Sequence, residues 1–269
     1  MKTASAGLPG LNREGLPRTA WIEVDLDAIK ANLSVIRALV GTDTAVHPVV
    51  KADAYGHGAL EVARALVAAG ADGFCVATID EALALRKGGI RRPILVLYPV
   101  PVSWIREAAR RRVAITAGDP VLLAATLDEL QTDQASQPLR IQLEVETGLG
   151  RGGFIGPALL AAARAVGDRS TALFDGLWTH LQAPEDRAIS DRQIEAFNEA
   201  AASLRAAGIP LPRRHIRASG SLLSDGVASY DGDRHRRSRD GGDIGHDGIH
   251  RHVTDQRDAV AADERFGAV

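Results

Sequence analysis

The sequence predicts an α/β fold of the (β/α)₈ barrel type, short of its eighth strand. Three observations carry that prediction. Short apolar runs alternate with amphipathic helical stretches from about Trp21 onward. The joins between them are short, which favours right-handed βαβ units and a parallel sheet. Seven strand-like runs follow the first helix, more in keeping with a barrel than with a doubly wound sheet.

The elements follow in order. Trp21–Leu26 alternates with period two, as a half-buried strand does. Asp27 is placed to cap a helix reaching about Val40, with apolar positions at Ile29, Leu33, Ile36 and Leu39. Barrel strands are expected at His47–Lys51, Gly73–Ala77, Pro93–Tyr98, Val113–Thr116, Arg140–Glu146, Phe174–Leu181 and His215–Ser219. Helical patterns lie between them, for example at Ala59–Ala69, Ile79–Lys87, Pro157–Val166 and Arg187–Ala207. An eighth strand should follow Ser219. Instead, after Tyr230, Arg, Asp, His and Gly dominate and no apolar period survives. Residues 1–18 are expected to be a flexible leader, 19–232 the barrel, and 233–269 a tail of low order.

Bulk properties bound the function. The chain has 269 residues, 45% apolar and 25% charged, enough for a large core without metal or disulfide staples. A formal net charge of -2 gives no general attraction to nucleic acid or an anionic membrane. Cys75 is the single cysteine, which fits a reducing cytoplasm, and no apolar run is long enough to span a bilayer. The His/Asp-rich tail matches no closed ligand set, so no metal site is expected. Lysine occurs only at positions 2, 30, 51 and 87, so chemistry that needs an amine has few candidates.

A parallel barrel presents its chemistry at the C-terminal ends of its strands. Lys51 ends the first such strand and leads into the glycine-containing run Ala52-Asp-Ala-Tyr-Gly-His-Gly58. Burial there would depress the amine pKa and make it a nucleophile. Arg151 lies in Glu144-Val-Glu-Thr-Gly-Leu-Gly-Arg-Gly-Gly153 after the fifth strand. Taken alone, an arginine in a Gly-rich turn is more often a solvated loop residue. His180, in Trp178-Thr-His-Leu181, taken alone reads more readily as a core histidine bonded to backbone than as a cofactor contact. Ser219 suits either a helix N-cap or a phosphate contact.

Val50-Lys-Ala-Asp-Ala-Tyr-Gly-His-Gly58 resembles the cofactor-attachment signature of alanine racemases, and the segments around Arg151, His180 and Ser219 agree in order. The resemblance runs from about Thr19 to Arg234. It implies a pyridoxal 5'-phosphate (PLP) enzyme interconverting L- and D-alanine, cytoplasmic and homodimeric, supplying D-alanine for peptidoglycan. It further implies that Lys51 carries the cofactor as a Schiff base and acts as the base on one face of the substrate. Tyr55 and Ser219 would then hold the phosphate, Arg151 would contact the phenolic oxygen, and His180 would pack against the ring. Arg234, in Tyr230-Asp-Gly-Asp-Arg234, falls where the family places the arginine at the pyridine nitrogen. The family's C-terminal domain, with its second catalytic tyrosine, has no counterpart here, and the tail from about residue 233 reads as a shifted reading frame or a disrupted gene. Two other readings stay open: a single-domain PLP carrier without racemase activity, and a non-functional remnant.

Overall fold

The computed structural model describes residues 22–131, 137–184, 186–211, 213–216 and 242–244. The chain opens differently from the period-two expectation. Ile22 to Asp25 form no strand, and Ile22 is 76% exposed. Helix α1 spans Leu26–Val40, and its N-cap is Asp25 rather than Asp27. The Asp25 carboxylate accepts from the N–H groups of Asp27 (2.9 Å) and Ala28 (3.0 Å), two of the donors a helix start leaves without partners. Ile29, Leu33 and Ile36 are buried as their spacing predicts.

The barrel elements then alternate. Strand β1 is Val46–Pro48, followed by the short turn α2 (Lys51–Gly56) and helix α3 (Ala59–Ala68). Next come β2 (Phe74–Val76), α4 (Ile79–Lys87), β3 (Ile94–Val96), α5 (Ile105–Arg110), β4 (Ala114–Ala117) and α6 (Pro120–Gln131). The series ends with β5 (Leu139–Glu144), α7 (Pro157–Gly167), β6 (Ala172–Trp178), α8 (Arg187–Ala206) and β7 (Arg213–His215). Strands β2 to β7 form one parallel sheet in sequence order, as βαβ units require. A parallel bridge between Val49 and Cys75 links β1 to this sheet.

Beyond β7 the structure adds something the sequence pattern did not offer. Gly242–Ile244 form a strand, β8, parallel to β1 with His47 opposite Asp243. The main-chain edge of β1 needs a partner whatever side chains a neighbour carries, so three residues of low apolar content can fill the position. No hydrogen-bonded pairing joins β7 to β8 among the described residues.

Side-chain alternation divides the sheet into two faces. Phe74, Ile94, Ile115, Ile141 and Leu177 pack outward against the helices in the main core. Val49, Cys75, Leu95 and Ala114 form a smaller apolar cluster inside the barrel. Toward the N-terminal ends of the strands the interior turns polar, where His47, Arg140, Gln142, Asp175 and Arg213 line a small cavity. Buried Asp175 pairs with Arg140 and is 3.3 Å from Gln142 Nε2. Asp175 sits at a register shift between β5 and β6. Gly176, its neighbour, leaves room for Gln142, since a Cβ there would lie 2.9 Å from the amide carbon. Gly73 does the same for His47, whose ring would meet a Cβ at 2.8 Å. The outer layer has its own polar anchor. Buried Arg86, on α4, donates to four backbone carbonyls, those of Ile90, Arg92, Arg111 and Arg112, at 2.8–3.0 Å.

Candidate active site

Lys51 lies just past β1, at the C-terminal end of the barrel, and opens a turn of unusual hand. Ala52, Asp53, Ala54 and Tyr55 all have φ between 50° and 56°, so the chain winds left-handed for four residues. Each such L-residue costs roughly 1–2 kcal/mol. The surroundings offset this. Ala54 N–H donates to Val50 (3.0 Å) and Gly58 N–H to Asp53 (2.9 Å). The Asp53 side chain accepts from Ala59 N–H at 2.7 Å, capping α3. Glu81, on α4, accepts from Ala52 N–H at 2.6 Å and, through its other oxygen, from Ala77 N–H at 2.7 Å. Strain over-determined by its neighbours is a mark of functional sites. Nothing in the sequence marks Glu81 beyond its spacing from Thr78, a Thr-x-x-Glu pattern that reads as a helix start.

The left-handed turn sets Lys51 and Tyr55 over the barrel mouth. Lys51 Nζ lies 5.8 Å from the centre of the Tyr98 ring. Tyr55 packs on the interior cluster of Val49, Cys75, Leu95 and Ala114.

Arg151 is presented by a loop that hangs from β5 at both ends. Phe154 N–H donates to the Glu144 carbonyl (2.8 Å), Glu146 N–H to the Phe154 carbonyl (3.2 Å), and Gly153 N–H to Gly118 after β4 (3.0 Å). The Glu146 carboxylate accepts from the N–H groups of Gly148 and Gly150. Burial pushes that carboxyl up, but the backbone donors of the turn outweigh it and hold it below its usual value. Gly153 has φ 114°, and a Cβ there would lie 2.5 Å from Glu146 N. Only glycine suits that approach. Glu144 Oε1 is 3.2 Å from Arg151 Nη2.

His180 follows β6 by two residues, so it too sits at the C-terminal end. Its carbonyl accepts from Gln193 of α8 at 3.1 Å. Lys51, Tyr55, Arg151 and His180 are thus all placed at one end of the barrel by three strand-end segments, those after β1, β5 and β6. Ser219 and Arg234 lie outside the described residues.

Residues 24–236 match the family described as alanine racemase, N-terminal domain. The chain belongs to the alanine racemase family. The alanine racemase of Lacticaseibacillus paracasei is 37% identical over 212 residues, which is 77% of this chain and 54% of that protein. The crystal structure of alanine racemase from E. faecalis superposes with a TM-score of 0.71 at 33% identity, covering 81% of this chain and 57% of that one. A histidine racemase from Leuconostoc mesenteroides superposes equally well, with a TM-score of 0.71, 28% identity, and 83% and 57% coverage. The chain spans about half the length of the curated relatives it matches.

Racemases of this family are PLP-dependent, and the barrel mouth fits that group. Thr116 Oγ1 and Trp178 Nε1 are buried near the C-terminal ends of β4 and β6 without a hydrogen-bond partner among the described residues. Buried polar groups ordinarily have partners, and a polar cofactor supplies them. The lysine amine, a backbone turn rich in N–H groups and the loop arginine complete a donor set suited to an aldehyde and anionic oxygens.

Proposed function

We propose that this chain supplies the cofactor-binding barrel of a PLP-dependent racemase acting on alanine. The reading rests on one observation, the placing of Lys51 at the barrel mouth by a left-handed turn in the family's attachment sequence. PLP, when bound, supplies an electron sink for the substrate α-carbon. In this reading Lys51 holds the cofactor through its amine and then moves the α-proton on one face. Tyr55 and Ser219 hold the phosphate, and Arg151 and His180 orient the ring. By resemblance Arg234 would meet the ring nitrogen and keep it unprotonated, since a guanidinium does not give up its proton. Cytoplasmic location, homodimer formation and D-alanine supply for peptidoglycan belong to the same proposal.

Racemisation also needs an acid/base group on the opposite face. Such a group contributes typically ~10²–10⁴-fold, or about 3–5 kcal/mol of barrier. By resemblance it is a tyrosine of the family's C-terminal domain, which the matched residues do not reach. In this reading Lys51 supports α-proton exchange on one face.

The test is to load the full chain with PLP and reduce it with borohydride. The adduct is expected on the Lys51 peptide, lost in Lys51→Ala and kept in Lys87→Ala. Exchange of the α-proton of L- and D-alanine in D₂O then reports the chemistry. Labelling of another lysine, or cofactor uptake with no exchange of either enantiomer, would overturn the reading.

A further inference from the structure

We propose that the N-terminal mouth of the barrel, opposite Lys51, binds one small inorganic anion of halide size, with Arg112 as its dedicated ligand. The site lies at the other end of the molecule from the candidate active site and does not depend on the cofactor reading.

The first observation is a backbone conformation. Helices α3, α4, α5 and α8 end alike, each with two hydrogen bonds that turn back on the last residues of the helix. In α5 these run from Arg112 N–H to the Ala109 carbonyl (3.0 Å) and from Val113 N–H to the Ala108 carbonyl (2.9 Å). The residue that donates the first bond has positive φ. It is Gly70 after α3, Gly89 after α4 and Gly208 after α8, but it is Arg112 after α5, at φ 54°. A side chain is strained there and glycine is not. Outside the Lys51 turn, Arg112 is the one non-glycine residue with positive φ among the described residues. Strain of this kind gathers where a side chain is needed for something other than the fold.

The second observation is charge. The cavity at this mouth is lined by His47, Arg112, Arg140, Gln142, Asp175 and Arg213, among apolar strand residues. It offers about 20 Å³, the room of one water molecule or one halide ion. Three guanidiniums from three segments thus face one carboxylate. That carboxylate is already engaged. Arg140 pairs with Asp175, Gln142 Nε2 lies 3.3 Å from it, and Arg213 Nη2 lies 4.0 Å from it. The Gln142 carbonyl oxygen in turn meets Nε2 of His215. Asp72, the other acid that acts on His47, is paired with Arg37. The two histidines add no charge at neutral pH, since burial and the nearby arginine lower both. Positive charge is therefore in excess around a hole with low-dielectric walls, which concentrates its field on a counter-ion.

The third observation is rigidity. Arg86 donates to the carbonyls of Arg111 (2.9 Å) and Arg112 (2.8 Å), so the main chain that carries the ligand is fixed before an ion arrives. Size then selects the ion, because a cavity that admits a single water-sized particle takes a halide and leaves a bulky organic anion outside.

The experiment unfolds the full chain in urea, without cofactor, at neutral pH and fixed ionic strength, with sodium chloride exchanged for sodium gluconate. Chloride at about ten times its dissociation constant should lower the unfolding constant about tenfold. The chloride NMR line should broaden in the presence of the folded protein and narrow again as bromide displaces it. Arg112→Gly should lose both responses. In gluconate, however, it should unfold about threefold less readily than the parent, because the strain at positive φ is gone. Arg112→Lys keeps the charge and should keep part of the chloride response. Arg151→Gln, at the opposite mouth, should keep all of it. Equal stability of the parent in the two salts would overturn the proposal, as would a chloride response that survives in Arg112→Gly or disappears in Arg151→Gln. A loss of stability of Arg112→Gly in gluconate would show that the arginine serves the fold itself, and would overturn its assignment as a ligand.

Discussion

Acid should loosen this barrel well before its carboxylates titrate, because two histidines are held neutral inside it. His47 on β1 is lowered from 6.5 to about 4 by burial, reinforced by Arg213 and opposed by Asp72 and Asp175. His215 on β7 is lowered to about 3 by burial first, then by His47 and Arg213, with Asp175 opposing. Its ring stacks on Trp178 at 5.6 Å, and Nε2 meets Gln142. The other charged groups of this cluster are Arg140, paired with Asp175, and Arg37 of α1, paired with Asp72. For a base depressed in the fold, the unfolded chain binds the proton more readily. Stability is therefore complete above about pH 6.5 and falls as pH drops toward the folded values. At about 1.4 kcal/mol per pKa unit, each ring costs about 2 kcal/mol at pH 5, so the pair costs about 4 kcal/mol. That is a large fraction of the ~5–15 kcal/mol typical of a domain. Urea unfolding across the range pH 8 to 5 reads it directly. The expected slope near pH 5 approaches two protons taken up on unfolding. His47→Gln and His215→Gln should each remove about half of the slope. A loss of under about 1 kcal/mol between these limits, or an unchanged slope in the double variant, would refute the reasoning.

Two further outcomes test the scaffold. Arg86→Met keeps the bulk but leaves four carbonyls without their donor, so a loss of about 3 kcal/mol or more is expected in chemical denaturation, with little change at Lys51. Gly153→Ala would drive a methyl against the Glu146 amide at positive φ, so the Arg151 loop should open, read as faster proteolysis between Glu144 and Phe154 with the barrel otherwise intact.

The barrel was legible because it is written in local terms. Outward residues such as Phe74, Ile94 and Ile141 recur between amphipathic helices, and a parallel order follows from short joins. Strand ends were overrun by several residues. The apolar run through Lys51 continues past β1, where the backbone leaves the strand for a left-handed turn that no alternation encodes. The opening residues failed for a related reason, since period two also fits a capped helix start in which, among the described residues, Val24 and Leu26 touch the core. Strand β8 was illegible because Gly242–Ile244 carry no apolar alternation that would mark a strand.

By itself the sequence determined the fold class and the family and singled out Lys51 as the candidate lysine, because each rests on residue types in a fixed order. Only the tertiary structure decided how those residues are held. Glu81 supports the Lys51 turn from 29 positions away, Glu144 meets Arg151 where a loop doubles back, and His47 and His215 are held neutral by elements that no short segment contains. Such relations depend on distance and burial in three dimensions, and a linear pattern carries neither.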